Sequence, residues 1–245
     1  MTCDASNEVT TWDLKSGEAI RRQKLDFEGE LRFLRFSPNG KKLALIKRGY
    51  RVLAYDTETG ALISEYPNRP FATTGVFSAD STKFAIFIRG EKSHIRIWDP
   101  VSRDSERLNF ESEAHRLGMS AFSMAPDFKS AITIHPRSPV AALIRTENPE
   151  EPIELKPEAS STLSAFAWSP SGDCVAIGNP NGQIFIFDTE TWESKQVIQA
   201  HRDFVQTLSF SADGAKLASG ADNGVIKVWD HFSGEQIHQF KGHTT

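Results

Sequence analysis

Apolar residues fall in short runs separated by polar turn clusters, and the clearest set lies near the C-terminus. There Phe204-Val205-Gln206-Thr207-Leu208-Ser209-Phe210 reads as one strand and Lys216-Leu217-Ala218-Ser219-Gly220 as a second. Residues 225–229 read as a third and 235–240 as a fourth. Asn223-Gly224, between the second and third, is a two-residue hairpin signal, because both residues tolerate positive φ. This pattern predicts short strands joined by tight turns and almost no helix.

The runs repeat. An aromatic or aliphatic residue closes one of them at Trp12, Tyr55, Trp98, Ile144, Phe187 and Trp229, with gaps of 43, 43, 46, 43 and 42 residues. Asp follows in five of the six cases, and Arg145 takes its place after Ile144. About twenty residues before each of the last five stands a tight-turn sequence. These are Ser37-Pro38-Asn39-Gly40, Ser78-Ala79-Asp80-Ser81, Ala125-Pro126-Asp127-Phe128, Ser169-Pro170-Ser171-Gly172 and Ser211-Ala212-Asp213-Gly214. Two ladders sharing a period of 40–45 residues, one with a Trp-Asp signature, predict an all-β fold: a β-propeller of four-stranded antiparallel blades.

Residues 201–230, with Ala200-His201 ahead of the first strand and Trp229-Asp230 at the end of the third, resemble the WD-repeat (G-protein β-subunit-like) family. The resemblance extends in degenerate form over essentially the whole chain. In that family a His, a Ser or Thr, an Asp and the Trp form a hydrogen-bonded structural tetrad. The matching residues here are His201, Ser219, Asn223 and Trp229, with Asn in place of Asp, which removes a charge-assisted partner from the imidazole. Trp98 is matched with Ile88 and Lys92, and Phe187 with Ile177 and Asn181, so neither of those blades is expected to hold a tetrad.

The repeats divide the chain into a single propeller domain over 1–245: a partial first blade (1–27), blades at 28–68, 69–112, 113–158, 159–199 and 200–241, and the start of a further repeat at 242–245. The first blade begins at its second strand, and Gly242-His243 opens a new unit, so the chain is expected to be part of a longer protein or of a ring completed by something else. The net charge of −4 gives no general attraction to nucleic acid or to an anionic membrane. The start of the chain lacks the apolar core of a signal peptide, and no run is long enough for a membrane helix. No Asn-x-Ser/Thr acceptor occurs, and the expected compartment is the cytoplasm. Cys3 and Cys174 lie far apart and make no disulfide framework; small buried strand residues are expected.

Candidate chemistry is sparse. No G-x-S-x-G elbow, P-loop or G-x-G-x-x-G stretch occurs, and no cysteine stands within five residues of a histidine in a zinc-site spacing. No acidic pair stands out as a general acid and base. No catalytic residue, metal or cofactor is expected. The acidic loop 148–152 and the basic residues Arg21, Arg22, Lys24, Lys41 and Lys42 read as solvated faces.

What the resemblance implies is binding. The family recognises partners on the narrower face through two positions flanking the start of the first strand and one before the second hairpin turn. In the last blade these are Phe204, Gln206 and Asp222, and in the one before it Thr162, Ser164 and Pro180. Earlier blades supply Glu30, Arg32 and Arg48; Phe71, Thr73 and Arg89; and Gly118, Ser120 and Arg137. Arg32, Arg48, Arg89 and Arg137, with Phe71 among them, define an expected basic sector for an acidic or phosphorylated peptide, since arginine and aromatic side chains anchor interfaces. The expected function is a non-catalytic protein–protein interaction scaffold. The alternative is a sensing or targeting module of a larger enzyme, a kinase or protease, whose catalytic domain lies outside this chain. A propeller hydrolase ranks last.

Overall fold

The computed structural model describes residues 2–4, 7–13, 15–26, 31–47, 51–66, 71–88, 94–109, 121–134, 139–156 and 162–241, which fall in two compact units, 1–108 and 109–245. In the first unit, β1 (Thr2–Cys3), β2 (Glu8–Trp12) and β3 (Ala19–Lys24) form a three-stranded sheet. It is followed by β4 (Leu31–Phe36), β5 (Lys42–Lys47), β6 (Arg51–Asp56) and β7 (Leu62–Glu65) in a second sheet. The third is β8 (Ala72–Phe77), β9 (Phe84–Ile88), β10 (His94–Trp98) and β11 (Ser105–Leu108). The second unit holds three further sheets. They are β12 (Ala121–Met124) to β15 (Ile153–Leu155) through β13 (Ser130–Ile134) and β14 (Ala141–Arg145); β16 (Ala165–Trp168), β17 (Cys174–Gly178), β18 (Gln183–Asp188) and β19 (Ser194–Gln199); and β20 (Val205–Phe210), β21 (Lys216–Ala221), β22 (Val225–Asp230) and β23 (Gln236–Lys241). Every sheet is an antiparallel meander in chain order, and no helix occurs among the described residues. The first sheet has three strands among the described residues and the other five have four each.

The Asp ladder has a local cause. Each of these carboxylates turns back on its own hairpin and accepts the N–H groups two and three residues on. Asp13 Oδ1 takes those of Lys15 and Ser16 at 2.8 and 2.8 Å, and Asp230 Oδ1 those of Phe232 and Ser233 at 3.0 and 2.8 Å. Asp56, Asp99 and Asp188 repeat the arrangement. These donors favour the ionised form and hold the Asp13, Asp56 and Asp230 carboxyls below the usual carboxylate range. The fourth residue beyond each Asp then adopts positive φ: Gly17, Gly60 and Gly234 at 72°, 71° and 72°, but Arg103 and Trp192 at 68° and 61°. Arg145 cannot accept these bonds, and the turn after β14 is built differently.

The second ladder is an equally local device. Ser37, Ser78 and Ser211 donate their hydroxyls to Asn39, Asp80 and Asp213 at 2.8, 2.5 and 2.5 Å, while Ser169 reaches Asp173 at 2.6 Å. The fourth turn position is left-handed in all five blades: Gly40, Ser81, Phe128, Gly172 and Gly214.

Burial explains why the middle strands are apolar without alternation. β9 and β17 are buried at every residue, and β5 at all but its first, because sheets pack on both of their faces. One cluster joins Ala44, Ile46, Val52 and Tyr66 to Phe77, Phe84, Ile86 and Trp98 in the first unit. Another joins Ile132, Leu143 and Leu155 to Val175, Ile177 and Phe185 in the second, and a third carries Ala176, Ile184 and Ile198 onto Val205, Leu217 and Trp229. Outer strands contrast with this: β23 is exposed throughout.

Candidate binding surface and structural triad

Three of the residues expected to meet a partner, Arg32, Thr73 and Gln206, share a backbone irregularity. β4 pairs Leu31 with Lys47 and then Phe33 with Ile46, leaving Arg32 as an extra residue. β8 pairs Ala72 with Ile88 and Thr74 with Phe87, leaving Thr73. β20 pairs Val205 with Ala221 and Thr207 with Gly220, leaving Gln206. A bulge removes one residue from the ladder and re-aims its side chain. The same step thus occurs at the same place near the start of three inner strands, and Arg32 and Gln206 are both exposed.

In the last blade the three expected residues come together. Gln206 Nε2 donates to Asp222 Oδ1 at 2.9 Å, and the Asp222 N–H donates to the Phe204 carbonyl at 3.1 Å. The preceding blade adjoins them, since Ser164 Oγ donates to the Val205 carbonyl at 2.6 Å. Pro180 stands in the adjacent turn, where Asn179 Oδ1 accepts the N–H groups of Asn181 and Gln183 at 3.0 and 2.9 Å. In the first unit Phe71 is 59% exposed just ahead of β8, the strand that packs beside β4. Glu30, Arg48, Arg89, Gly118, Ser120 and Arg137 lie outside the described residues, so of the arginine sector the structure places Arg32 alone.

The structural residues of the last blade resolve into three bonded side chains. Ser219 Oγ lies 2.7 Å from His201 Nε2 and 2.9 Å from Trp229 Nε1, and all three residues are buried. The indole N–H can only donate. Donation from Trp229 to Ser219, and from the Ser219 hydroxyl to His201 Nε2, satisfies the set with a neutral imidazole. Burial, then the nearby Lys227 charge, lowers the His201 pKa and favours that neutral form. Lys227 itself donates to the Ala200 carbonyl at 2.7 Å and sits 5.3 Å above the Trp229 ring. Asn223 does not join them: it is exposed, and its Oδ1 accepts the Val225 N–H at 3.1 Å. The contrast with Trp98 is direct. Ile88 offers no acceptor, and the buried Trp98 Nε1 has no partner among the described residues.

Two further places escaped the sequence. Cys174 Sγ lies 3.5 Å from His231 Nε2, where the last two blades pack. Burial pushes the thiol up to about 11 and pushes the imidazole down, so this pair holds neither a thiolate nor an imidazolium at neutral pH. A pocket of about 370 Å³ opens between the turns of the β12–β15 and β16–β19 blades, lined by Lys129, Arg145, Glu147, Trp168 and Trp192 among others. Trp168 and Trp192 meet edge to face there, with ring centroids 6.2 Å apart. Among the described residues no three His, Cys, Asp or Glu side chains are grouped as metal ligands, and no helix is long and apolar enough to cross a membrane.

Comparison with known proteins meets this geometry at one end of the chain first. Residues 192–230 match the family model for the WD domain, G-beta repeat, which takes in the bonded Ser219 and Trp229. The repeat that ends at Asp230 is a WD repeat. The fold of the chain is that of the β-propeller domain of Cps50 (Swd1) from Myceliophteria thermophila, with a TM-score of 0.73 at 18% identity, covering 88% of this chain and 72% of that one. The chain is 21% identical over 99% of its length to Pre-mRNA-processing factor 17 of Mus musculus, of which it covers 42%. It is 29% identical over 42% of its length to the THO complex subunit 6 homolog of Danio rerio, covering 30% of that protein. It also aligns over 95% of its length, at 21% identity, with apoptotic protease-activating factor 1 of Danio rerio, of which it covers 18%. The chain therefore spans less than half of each of these relatives.

Proposed function

We propose that this protein is a non-catalytic platform for protein–protein interaction. The observation that carries the reading is the repeated inner-strand bulge, which sets Arg32 and Gln206 at equivalent exposed positions in different blades. Side chains held on a rigid sheet lose little conformational freedom on binding, which favours recognition by loops and strand ends. In the last two blades the platform consists of Phe204, Gln206 and Asp222 with Ser164 and Pro180. In the earlier blades the expected contacts are Arg32, Arg48, Arg89 and Arg137, with Phe71, and the expected ligand is an acidic or phosphorylated peptide. Relatives named as a processing factor and as a complex subunit support a role within assemblies. The net charge of −4 argues for protein rather than nucleic acid as the partner. Those names lend no support to the cytoplasmic placement expected from the sequence.

The test is partner capture from cells expressing this protein, quantified by mass spectrometry. Phe204→Ala with Asp222→Arg, and separately Arg48→Ala with Arg137→Ala, are expected to remove partners while the far-ultraviolet spectrum stays that of an all-β protein. An unchanged partner set in both variants would refute the platform. A second reading, a targeting module of a larger chain, is favoured by the coverage of the relatives, of which this chain spans 18–42%. Sequencing the complete transcript tests it, with a kinase or protease signature as the supporting outcome.

A further inference from the structure

The pocket of the second unit lies at the opposite end of the blades from Phe204, Gln206 and Asp222, and its case is independent of the proposed platform. It sits between the turns that follow β12 and β14 and those that follow β16 and β18. It also falls at the one repeat where the turn-capping Asp has become Arg145. In the other five repeats the residue at this position is an anion consumed by its own turn. Here it is a cation, exposed and facing no such task.

Some of the polar groups of the pocket are spent on its own turns and others are not. Thr146 donates its hydroxyl to the Lys129 carbonyl at 3.1 Å and Thr189 donates to the Gly172 carbonyl at 2.6 Å, so both are occupied. Asp127 Oδ1 accepts the Lys129 N–H at 2.9 Å. Among the described residues the side chains of Lys129, Arg145 and Glu147 make no hydrogen bond or ion pair, and the buried Trp168 Nε1 has no acceptor. Lys129 and Arg145 thus keep unspent donors on a rim they share with the carboxylates of Asp127 and Glu147, and the remaining wall is the Trp168–Trp192 pair. Trp192 is held there at a φ of 61°, a conformation a bulky side chain rarely adopts.

We propose that this pocket binds an acidic peptide segment, with a Glu or Asp carboxylate forked onto Arg145 beside Lys129 and an adjacent aliphatic side chain against the two tryptophans. Arginine suits this because its planar donors match a carboxylate in pairs. The chemistry is recognition only, and no bond is made or broken.

The test uses the full chain and two blocked tetrapeptides, acetyl-Leu-Glu-Asp-Leu-amide and its uncharged counterpart acetyl-Leu-Gln-Asn-Leu-amide, titrated against tryptophan fluorescence and followed by ligand-observed NMR. The acidic peptide is expected to bind about tenfold or more tightly than the neutral one. Arg145→Gln is expected to erase that preference without moving the melting temperature, and Arg145→Asp, which restores the residue of the other repeats, to abolish binding. Gln206→Ala and Asp222→Ala are expected to leave it untouched. Equal binding of the two peptides, no binding of either at millimolar concentration, or full affinity in Arg145→Gln would each overturn the proposal.

Discussion

Replacing Ser219 by Ala removes one oxygen atom and strands two buried groups. In the native blade that oxygen accepts the Trp229 indole N–H at 2.9 Å and bonds His201 Nε2 at 2.7 Å, and Ser219 itself is 1% exposed. A buried polar group left without a partner costs about 1–3 kcal/mol, so two of them predict a loss of roughly 2–4 kcal/mol after some relaxation of the imidazole. Against a total stability of about 5–15 kcal/mol this is a large fraction, equivalent to roughly 5–15 °C in melting temperature for a chain of this size. The effect should be local. Urea denaturation followed by circular dichroism gives the total, and native-state hydrogen exchange shows whether the amides of β20–β23 lose protection before the others. A double-mutant cycle isolates the mechanism: Trp229→Phe deletes the indole N–H, so Ser219→Ala should cost at least about 1 kcal/mol less in that background. A loss below about 0.5 kcal/mol, or an equal loss with and without the indole, would refute the triad as a source of stability.

The turns give a matched pair of tests. Arg103→Gly relieves an exposed non-glycine residue at a φ of 68° and is expected to stabilise by about 0.5–1 kcal/mol, whereas Gly17→Ala, where an added Cβ would meet no atom within 4 Å, should destabilise by about 1 kcal/mol through the backbone alone; opposite signs in thermal melting check both. Acidification should weaken the fold. Burial lowers the pKa values of His201 and His231, so the unfolded chain takes up protons first, and stability present above pH ~6.5 is lost as pH falls through the lower folded values; urea midpoints that rise from pH 7.5 to 5 would contradict this. Ile88→Ser should leave Trp98 no better off in net stability, because the acceptor gained, about 1 kcal/mol, is outweighed by the loss of a buried aliphatic side chain of about 2 kcal/mol; a more stable variant by urea melting would show that the orphaned indole dominates that blade.

Most of the blade architecture was legible because its determinants are local. Asp13, Asp56, Asp99, Asp188 and Asp230 each bond within three residues of themselves, and each turn serine bonds an acidic or amide side chain two to four residues on. A spacing of that length can be read from sequence directly. The set of His201, Ser219 and Trp229 was legible for a different reason, since the family resemblance supplies which repeat positions bond one another. Asn223 was not: its position in the repeat is right, but its short amide is spent on the Val225 N–H and reaches no imidazole. The bulges at Arg32, Thr73 and Gln206 carry no compositional mark, because an extra residue in a ladder shows only against the register of its neighbour. The pocket was hidden more deeply. It needs turns from two blades, and the sequence signal, Arg145 in place of Asp, registered only as a fault in the ladder.

That fault and the intact repeats follow from one property of the capping device. Because every Asp stabilises its own hairpin and nothing else, losing one costs the blade a local increment and leaves its neighbours in register. The blade of β12–β15 bears this out: without the Asp, its strands still pair and Ile132, Leu143 and Leu155 still pack onto the next sheet. A capping position is therefore a place where charge can be inverted without disturbing the core. The residue freed from turn-making is exposed, fixed at the end of a buried strand, and flanked by the turns of the adjoining blade. These are the requirements of a binding residue, and Arg145 meets them where a consensus Asp would not. By the same logic, new charge at the ends of third strands should be tolerated elsewhere: Asp99→Lys is expected to cost about 1 kcal/mol, the value of a turn or helix cap of this kind. A loss of several kcal/mol, with the packing of Trp98 disturbed in its near-ultraviolet signal, would show instead that the caps hold the core, and that Arg145 is compensated by contacts of its own blade.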